Sequence, residues 1–114
     1  MKKNNAKTNC KPCEDKNKKD LIKGIATKEY VKEVKGWKLT KKGTTIEKNF
    51  EFKNFVKAMS FIEQVADVAE ESAHHPDIHI WYNKVKLELS THSVGGLTEN
   101  DFIVASRINE LWLI

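Results

Sequence analysis

All four histidines of this 114-residue chain lie between positions 74 and 92: His74, His75, His79 and His92. An imidazole changes charge near neutral pH, so a group of them suits metal binding or the exchange of protons. The spacing argues against a metal. Adjacent His74 and His75 would point about 100° apart on a helix. His75 and His79 have the i,i+4 spacing of helical zinc ligands, but Pro76 stands between them, where the chain turns into a strand. His92 follows "VKLELST" at the end of a strand. In a hairpin turning at Asn83-Lys84 it lies near the level of Pro76 and Asp77, a residue or two from His75. A helix end and a strand end can therefore gather two or three imidazoles around one cleft. Glu70 precedes His74 by four residues, a helical pair whose carboxylate would fix an imidazole tautomer or raise its pKa. Two readings stay open. One is general acid–base catalysis, in which each proton transfer is worth about 10²–10⁴-fold in rate. The other is a His-His helix terminus that satisfies the last carbonyls and interacts with the helix dipole.

The elements that must position these residues are legible in outline. "ATKEYVKEV" reads as a short helix capped by Thr27 and ending at Gly36. "GWKLTKKGTTIEKNFEF" reads as a hairpin turning at "KKGT", with Trp37, Leu39, Ile46, Asn49, Phe50 and Phe52 in its extended arms. "NFVKAMSFIEQVADVAEES" is the clearest helix, capped by Asn54. Its apolar stripe is Phe55, Met59, Ile62, Val65, Ala66 and Ala69, widened by Phe61 and Val68. Such a wide face predicts contact with the sheet and with a second surface. The helix must yield before Pro76. "DIHIWY" reads as a strand, "NK" as a turn and "VKLELSTH" as a strand, with Val85, Leu87 and Leu89 on the inner face and Lys86, Glu88 and Ser90 on the wet one. Thr98 and Asp101 resemble a capping box for a last helix that buries Phe102, Ala105, Ile108 and Leu111/Trp112. The order α-β-β-α-β-β-α predicts an α+β fold, a four-stranded antiparallel sheet with helices packed on one face.

Size and charge bound the rest. The chain suits a single domain, with residues 1–20 a flexible basic lead and residues 21–114 the folded part. Residues 1–20 hold seven lysines and three acids, while the other 94 residues carry 13 basic and 13 acidic side chains, so the whole excess of +4 sits in the lead. The body has no surplus charge to drive phosphate binding, and no nucleic-acid partner is expected. No apolar run approaches the ~20 residues that span a bilayer, so no membrane role is expected. The lead has no apolar stretch to act as a secretory signal, which predicts a cytoplasmic address. Cys10 and Cys13 give only half of a four-ligand zinc site and read as reduced thiols. The apolar end "LWLI" and the wide helix face predict a homo-oligomer.

Several spaced elements taken together carry a resemblance. Glu70 followed by His74-His75-Pro76, then Tyr82-Asn83-Lys84-Val85, Ser90-Thr91-His92, Gly96-Leu97-Thr98 and Asp101, resembles the signature of the pterin-4a-carbinolamine dehydratases. "GW" at 36–37, "FEFKNF" at 50–55 and "THSVGGLTENDF" at 91–102 fit the same family, and the likeness covers roughly residues 20–112. "CKPC" resembles a lead seen in some microbial members. The resemblance implies a hydro-lyase that removes water from 4a-hydroxytetrahydropterin, the by-product of aromatic amino acid hydroxylases, and returns quinonoid dihydropterin for recycling. The pterin is the substrate, and neither a metal nor a further cofactor is implied. His74, His75 and His92 correspond to the family's catalytic histidines, with His74 and His92 expected to move protons and His75 to hold the pterin. Glu70, Pro76, Thr91 and Asp101 match binding or orienting positions, and Asp101 would either orient His92 or serve only as a cap. Ala73 stands where some relatives carry an acid. His79 matches no catalytic position and reads as a strand residue, and Trp81 reads as core. The resemblance also implies a homodimer or homotetramer. The rival reading is a non-catalytic assembly or transcription-coactivator module acting through the apolar helix face. Substituting His74 or His92 would abolish a dehydratase and spare such a module.

Overall fold

The computed structural model describes residues 20–111; residues 1–19 of the lead, with Cys10 and Cys13, and Trp112 lie outside them. The elements are α1 (Ile25–Val31), β1 (Lys38–Thr40), β2 (Thr45–Glu51), α2 (Phe55–Ser72), β3 (Asp77–Trp81), β4 (Lys84–Leu89) and α3 (Glu99–Asn109), with short 3-10 turns at Lys41–Gly43 and His92–Val94. This is the expected α-β-β-α-β-β-α order. The strands form one antiparallel sheet in the order β1-β2-β4-β3, so the two hairpins join through a central β2–β4 pairing. There Phe50 faces Val85, Lys48 faces Leu87 and Ile46 faces Leu89. A slip of one residue would send these side chains to the wet face, so their burial fixes the register.

All three helices cover one face of the sheet. Ile46, Phe50, Val85, Leu87 and Leu89 pack against Ala58, Phe61, Val65 and Val68 of α2 and Phe102, Ala105 and Ile108 of α3. Phe61 is the hub, its ring 4.7 Å from Phe50 and 5.0 Å from Phe52, while Tyr30 of α1 lies 5.0 Å from Phe102. Burying a side chain of this size contributes about 1.5–3 kcal/mol. Among the described residues no helix is long and apolar enough to cross a membrane.

Local chemistry corrects several expectations. Thr27 does not cap α1; it lies inside the first turn and its hydroxyl donates to the Gly24 carbonyl at 2.6 Å. Asn54 does cap α2, its Oδ1 accepting from the Lys57 amide at 2.9 Å. The buried stripe of α2 is rotated from the expected one, comprising Ala58, Phe61, Val65, Val68, Ala69 and Ser72. Phe55, Met59 and Ala66 are exposed. The second hairpin turns at Tyr82-Asn83, because Trp81 already pairs with Lys84. Tyr82 accepts a left-handed φ of 51° there, and Asn83 ties the turn to Phe52 through two hydrogen bonds of 2.8 and 2.9 Å. Trp81 is not core: it is 56% exposed on the outer strand β3.

Lys48 points to the helix side of the sheet. Its ammonium lies over the Phe50 ring at 5.1 Å and donates to Asn109 Oδ1 at 2.9 Å and to the Lys35 carbonyl at 3.1 Å. The same Asn109 oxygen accepts from the Trp37 indole at 3.0 Å. Burial, with the neighbouring Lys35 charge, pulls the Lys48 pKa below its ordinary value. This latch needs Gly36, which sits at φ 86° with space for a Cβ only 2.7 Å from Lys48 Cε. Gly36→Ala is expected to lower stability by at least ~1 kcal/mol, through the left-handed backbone and the displaced lysine. Urea unfolding followed by tryptophan fluorescence checks this, and an unchanged midpoint would show that the latch carries no stability.

Candidate functional site

The end of α2 separates the two adjacent histidines. Ala73 adopts the left-handed conformation at φ 53° and ψ 37°. The Ala73 amide donates to the Glu70 carbonyl at 3.3 Å and the His74 amide to the Ala69 carbonyl at 3.2 Å. This is the Schellman pattern, usually closed by glycine. It turns His74 inward, 3% exposed, and His75 outward, with its side chain 58% exposed. Pro76 is buried and leads into β3.

Inside, His74 meets Asp101. Its Nε2 lies 2.7 Å from Asp101 Oδ1. Oδ2 of the same carboxylate accepts from the Thr91 hydroxyl at 2.8 Å and from the Thr98 amide at 3.0 Å. The Thr91 and Thr98 hydroxyls are 2.8 Å apart. Thr91, Thr98 and Asp101 are all buried, Asp101 completely. The expected capping box of α3 is therefore present, but its acid also holds a histidine from another element. That histidine is His74, whereas the sequence reading offered His92. The companion pairing shifts by one position: Glu70 reaches His75 at 2.7 Å, because the left-handed Ala73 carries His74 off the helix. Both members of the Glu70–His75 pair are exposed, and such surface pairs contribute at most about 1 kcal/mol.

His92 is exposed in the 3-10 turn that follows β4. The turn is closed by the Thr91 amide donating to the Gly96 carbonyl at 2.8 Å and by Gly95 at φ 72°. His92 lines a hollow of about 270 Å³ together with Asp77, Glu88, Ser90, Lys41, Thr44 and Thr45. Asp77 lies two residues beyond His75, so the end of α2 and the end of β4 meet at one end of the β3–β4 hairpin, as the spacing predicted.

The sequence reading missed a second cluster on the wet face. Glu88 is buried although it faces away from the helices. Its Oε1 lies 2.9 Å from His79 Nε2, and its Oε2 lies 3.6 Å from Lys41 Nζ and 4.0 Å from Lys86 Nζ. His79 in turn stacks on Trp81, ring centres 6.0 Å apart. The hydrogen bond from His79, with the lysine charges, holds the Glu88 carboxyl below its ordinary range against the opposing effect of burial. The available signal was parity: Glu88 and Lys86 alternate with the buried Val85, Leu87 and Leu89, and register pairs them with Asp77 and His79. Among the described residues no group of three or more His, Cys, Asp or Glu side chains is placed to hold a metal ion.

The family described as Pterin 4 alpha carbinolamine dehydratase matches residues 21–111. The chain is 42% identical over 105 residues to the Arabidopsis thaliana protein named "Pterin-4-alpha-carbinolamine dehydratase 2, mitochondrial", covering 90% of this chain and 56% of that one. It is 40% identical over 108 residues to a Nitrosospira multiformis protein named "Putative pterin-4-alpha-carbinolamine dehydratase", covering 92% and 89%. A crystal structure titled as a transcriptional coactivator/pterin dehydratase from Brucella melitensis superposes with a TM-score of 0.74 at 34% identity, over 78% of this chain and 95% of that one.

The Glu88 cluster yields a pH dependence. A carboxyl whose folded pKa is depressed contributes stability above its unfolded pKa, and that stability is lost as pH falls through the folded value. His79→Phe removes the largest cause of the depression. The Glu88 midpoint is then expected to rise toward its ordinary value, so the variant is less stable at neutral pH and loses less of its stability as pH falls. Carbon-detected NMR titration of the Glu88 carboxyl measures this, and an unmoved midpoint would remove His79 as the cause.

Proposed function

Because the chain belongs to the pterin-4-alpha-carbinolamine dehydratase family, we propose that it dehydrates a 4a-hydroxytetrahydropterin by histidine acid–base chemistry, recycling the pterin of aromatic amino acid hydroxylases. The observation that carries this reading is the convergence of the three motif histidines on one end of the β3–β4 hairpin. One of them is locked inward on a buried carboxylate, and two stand open to solvent. The reaction breaks the C4a–O bond and forms a C4a=N5 double bond. The hydroxyl leaves as water and needs a proton; N5 loses its proton and needs an acceptor. Two exposed imidazoles at the same end of the hairpin supply both.

Burial supports a division of roles among the histidines. His75 and His92 reach solvent and take the two proton transfers. His74 is the positioning residue: its bond to Asp101 fixes where α2 ends and hence where His75 begins. This exchanges the roles of His74 and His75 relative to the sequence reading. Pro76 sets the direction of the chain between His75 and the hollow, and Thr91 fixes the start of the His92 turn through Asp101. The pterin is the substrate, and the chemistry requires no further cofactor.

The protein also acts, on this reading, as a homodimer or homotetramer. Phe55, Val56 and Met59 are 47%, 70% and 38% exposed along one side of α2, an apolar stripe of the kind that marks a subunit contact. Phe55→Ser combined with Met59→Glu is expected to lower the particle mass in light scattering toward the 13.1 kDa of one chain. A wild-type protein that is already monomeric would end the oligomer reading.

A dehydration assay tests the chemistry. With 4a-hydroxytetrahydropterin generated in situ and product followed by absorbance, the wild type is expected to exceed the spontaneous rate. His75→Ala and His92→Ala are each expected to lose about 10²-fold or more in kcat. Asp101→Asn is expected to lose activity together with stability, since it leaves buried donors unmatched at about 1–3 kcal/mol each. Wild-type protein that adds nothing to the spontaneous rate would refute the dehydratase.

A further inference from the structure

A second and larger hollow adjoins the one that holds His92. It measures about 630 Å³ and is lined by the segment before and into α1, by Leu39, by the Lys41–Gly43 turn and by the loop at Gly95–Leu97. Thr44 and Gly95 line both hollows, so the two meet across a saddle made by these residues. The volumes divide the work. Sites for small molecules usually enclose about 300–1,000 Å³. The His92 hollow alone falls short of that range, enough for a flat bicyclic ring and little else, whereas the neighbour lies well within it.

The lining of the second hollow is amphipathic. Leu21, Ile25 and Leu39 form apolar wall, and Ile25 is 76% exposed with its side chain turned into no core. Lys23, Lys28 and Lys42 stand among them, all exposed, and among the described residues none of the three makes an ion pair. Charge near the other hollow is different: Lys41 there is already paired with Glu88 at 3.6 Å. The turn that parts Lys41 from Lys42 is strained. Both lysines have left-handed φ values, 53° and 59°, and Gly43 follows at 83°. Such outliers cost about 1–3 kcal/mol each and persist where the surroundings over-determine them, often at ligand clamps. Here the strained turn delivers Lys41 to one hollow and Lys42 to the other.

We propose that the second hollow receives the substituent at C6 of the pterin, and that the protein favours a substituent with an apolar or aromatic spacer ending in an anionic group. This rests on the dehydratase reading for the ring, which places the reacting C4a–N5 edge at His75 and His92. C6 is bonded to N5, so a substituent there leaves the ring beside the reacting edge and crosses the Thr44–Gly95 saddle. The apolar wall then covers the spacer, and Lys23, Lys28 and Lys42 meet the anion.

Calorimetric titration of the full chain separates the two readings. The probes are 6-methylpterin, which has no tail, and folic acid, whose aromatic spacer ends in two carboxylates. Folic acid is expected to bind about tenfold more tightly at physiological salt, the increment of a few partly screened charge contacts. In Lys23→Ala/Lys28→Ala/Lys42→Ala that ratio is expected to fall to near one. Removing three lysines that do not line the hollow, by Lys53→Ala/Lys57→Ala/Lys84→Ala, is expected to leave it at about tenfold. Equal affinity of the two probes for wild type would overturn the inference. So would an advantage that survives in the first variant or collapses equally in the second, which would mark general charge attraction. The dehydration of a tailless 4a-hydroxy-6-methyltetrahydropterin is measured alongside. Its absence with the folic acid preference intact sinks the dehydratase reading alone, and its presence with equal affinities sinks the tail site alone.

Discussion

Asp101 is the group on which both the fold and the site depend. Its carboxylate has no exposure to solvent, so it persists only by finding donors from the protein itself. It finds them in three places: the imidazole of His74 just past α2, the hydroxyl of Thr91 at the end of β4, and the amide of Thr98 at the start of α3. These three residues belong to three separate segments of the chain. An ordinary helix cap would have needed only the Thr98 amide. The other two bonds turn the cap into a junction that sets where α2 stops and where the loop after β4 begins.

The positions of the exposed histidines follow from that junction. His75 is the next residue after His74, and His92 the next after Thr91. Each accessible imidazole is thus one peptide unit from a residue bonded to the same buried oxygen pair. Fixing the neighbours fixes the directions in which the two rings leave the backbone. The left-handed Ala73 belongs to the same arrangement. An alanine there costs about 1 kcal/mol more than the glycine usual in this cap. The inward pull of Asp101 on His74 offsets it.

Much of this was legible before any coordinates. The alternation Val85, Leu87, Leu89 marked β4, Asn54 marked the start of α2, and Thr98 with Asp101 marked α3, because each signal is local. The face of α2 was misread because Phe55, Met59, Ile62 and Ala66 also keep helical spacing. Periodicity shows that an apolar stripe exists, and only the sheet decides which of two overlapping stripes turns inward. The motif histidines were found, but their partners were displaced by one: nothing in "SAHHP" announces a left-handed alanine, so Glu70 was matched to His74 when it reaches His75. The His79–Glu88 pair was missed for a different reason. Parity puts both side chains on the wet face, but no local signal shows that they bond, and the contact runs diagonally, since register sets Glu88 opposite Asp77 and His79 opposite Lys86.

A division between dry anchor and wet pair suits a reaction in which the protein's own groups only move protons. Groups that trade protons with a substrate must recover their starting state in each turnover, and contact with solvent provides that. Orientation has the opposite requirement, because a carboxylate–imidazole contact holds its geometry best where water cannot compete for it. The chain meets both demands by placing the buried contact a single residue away from each exposed histidine. The resulting site is built from backbone that the sheet and two helices already hold, so its precision comes from the fold's own connections. On the proposed reading, the hollow beside His92 is where a substrate ring would sit.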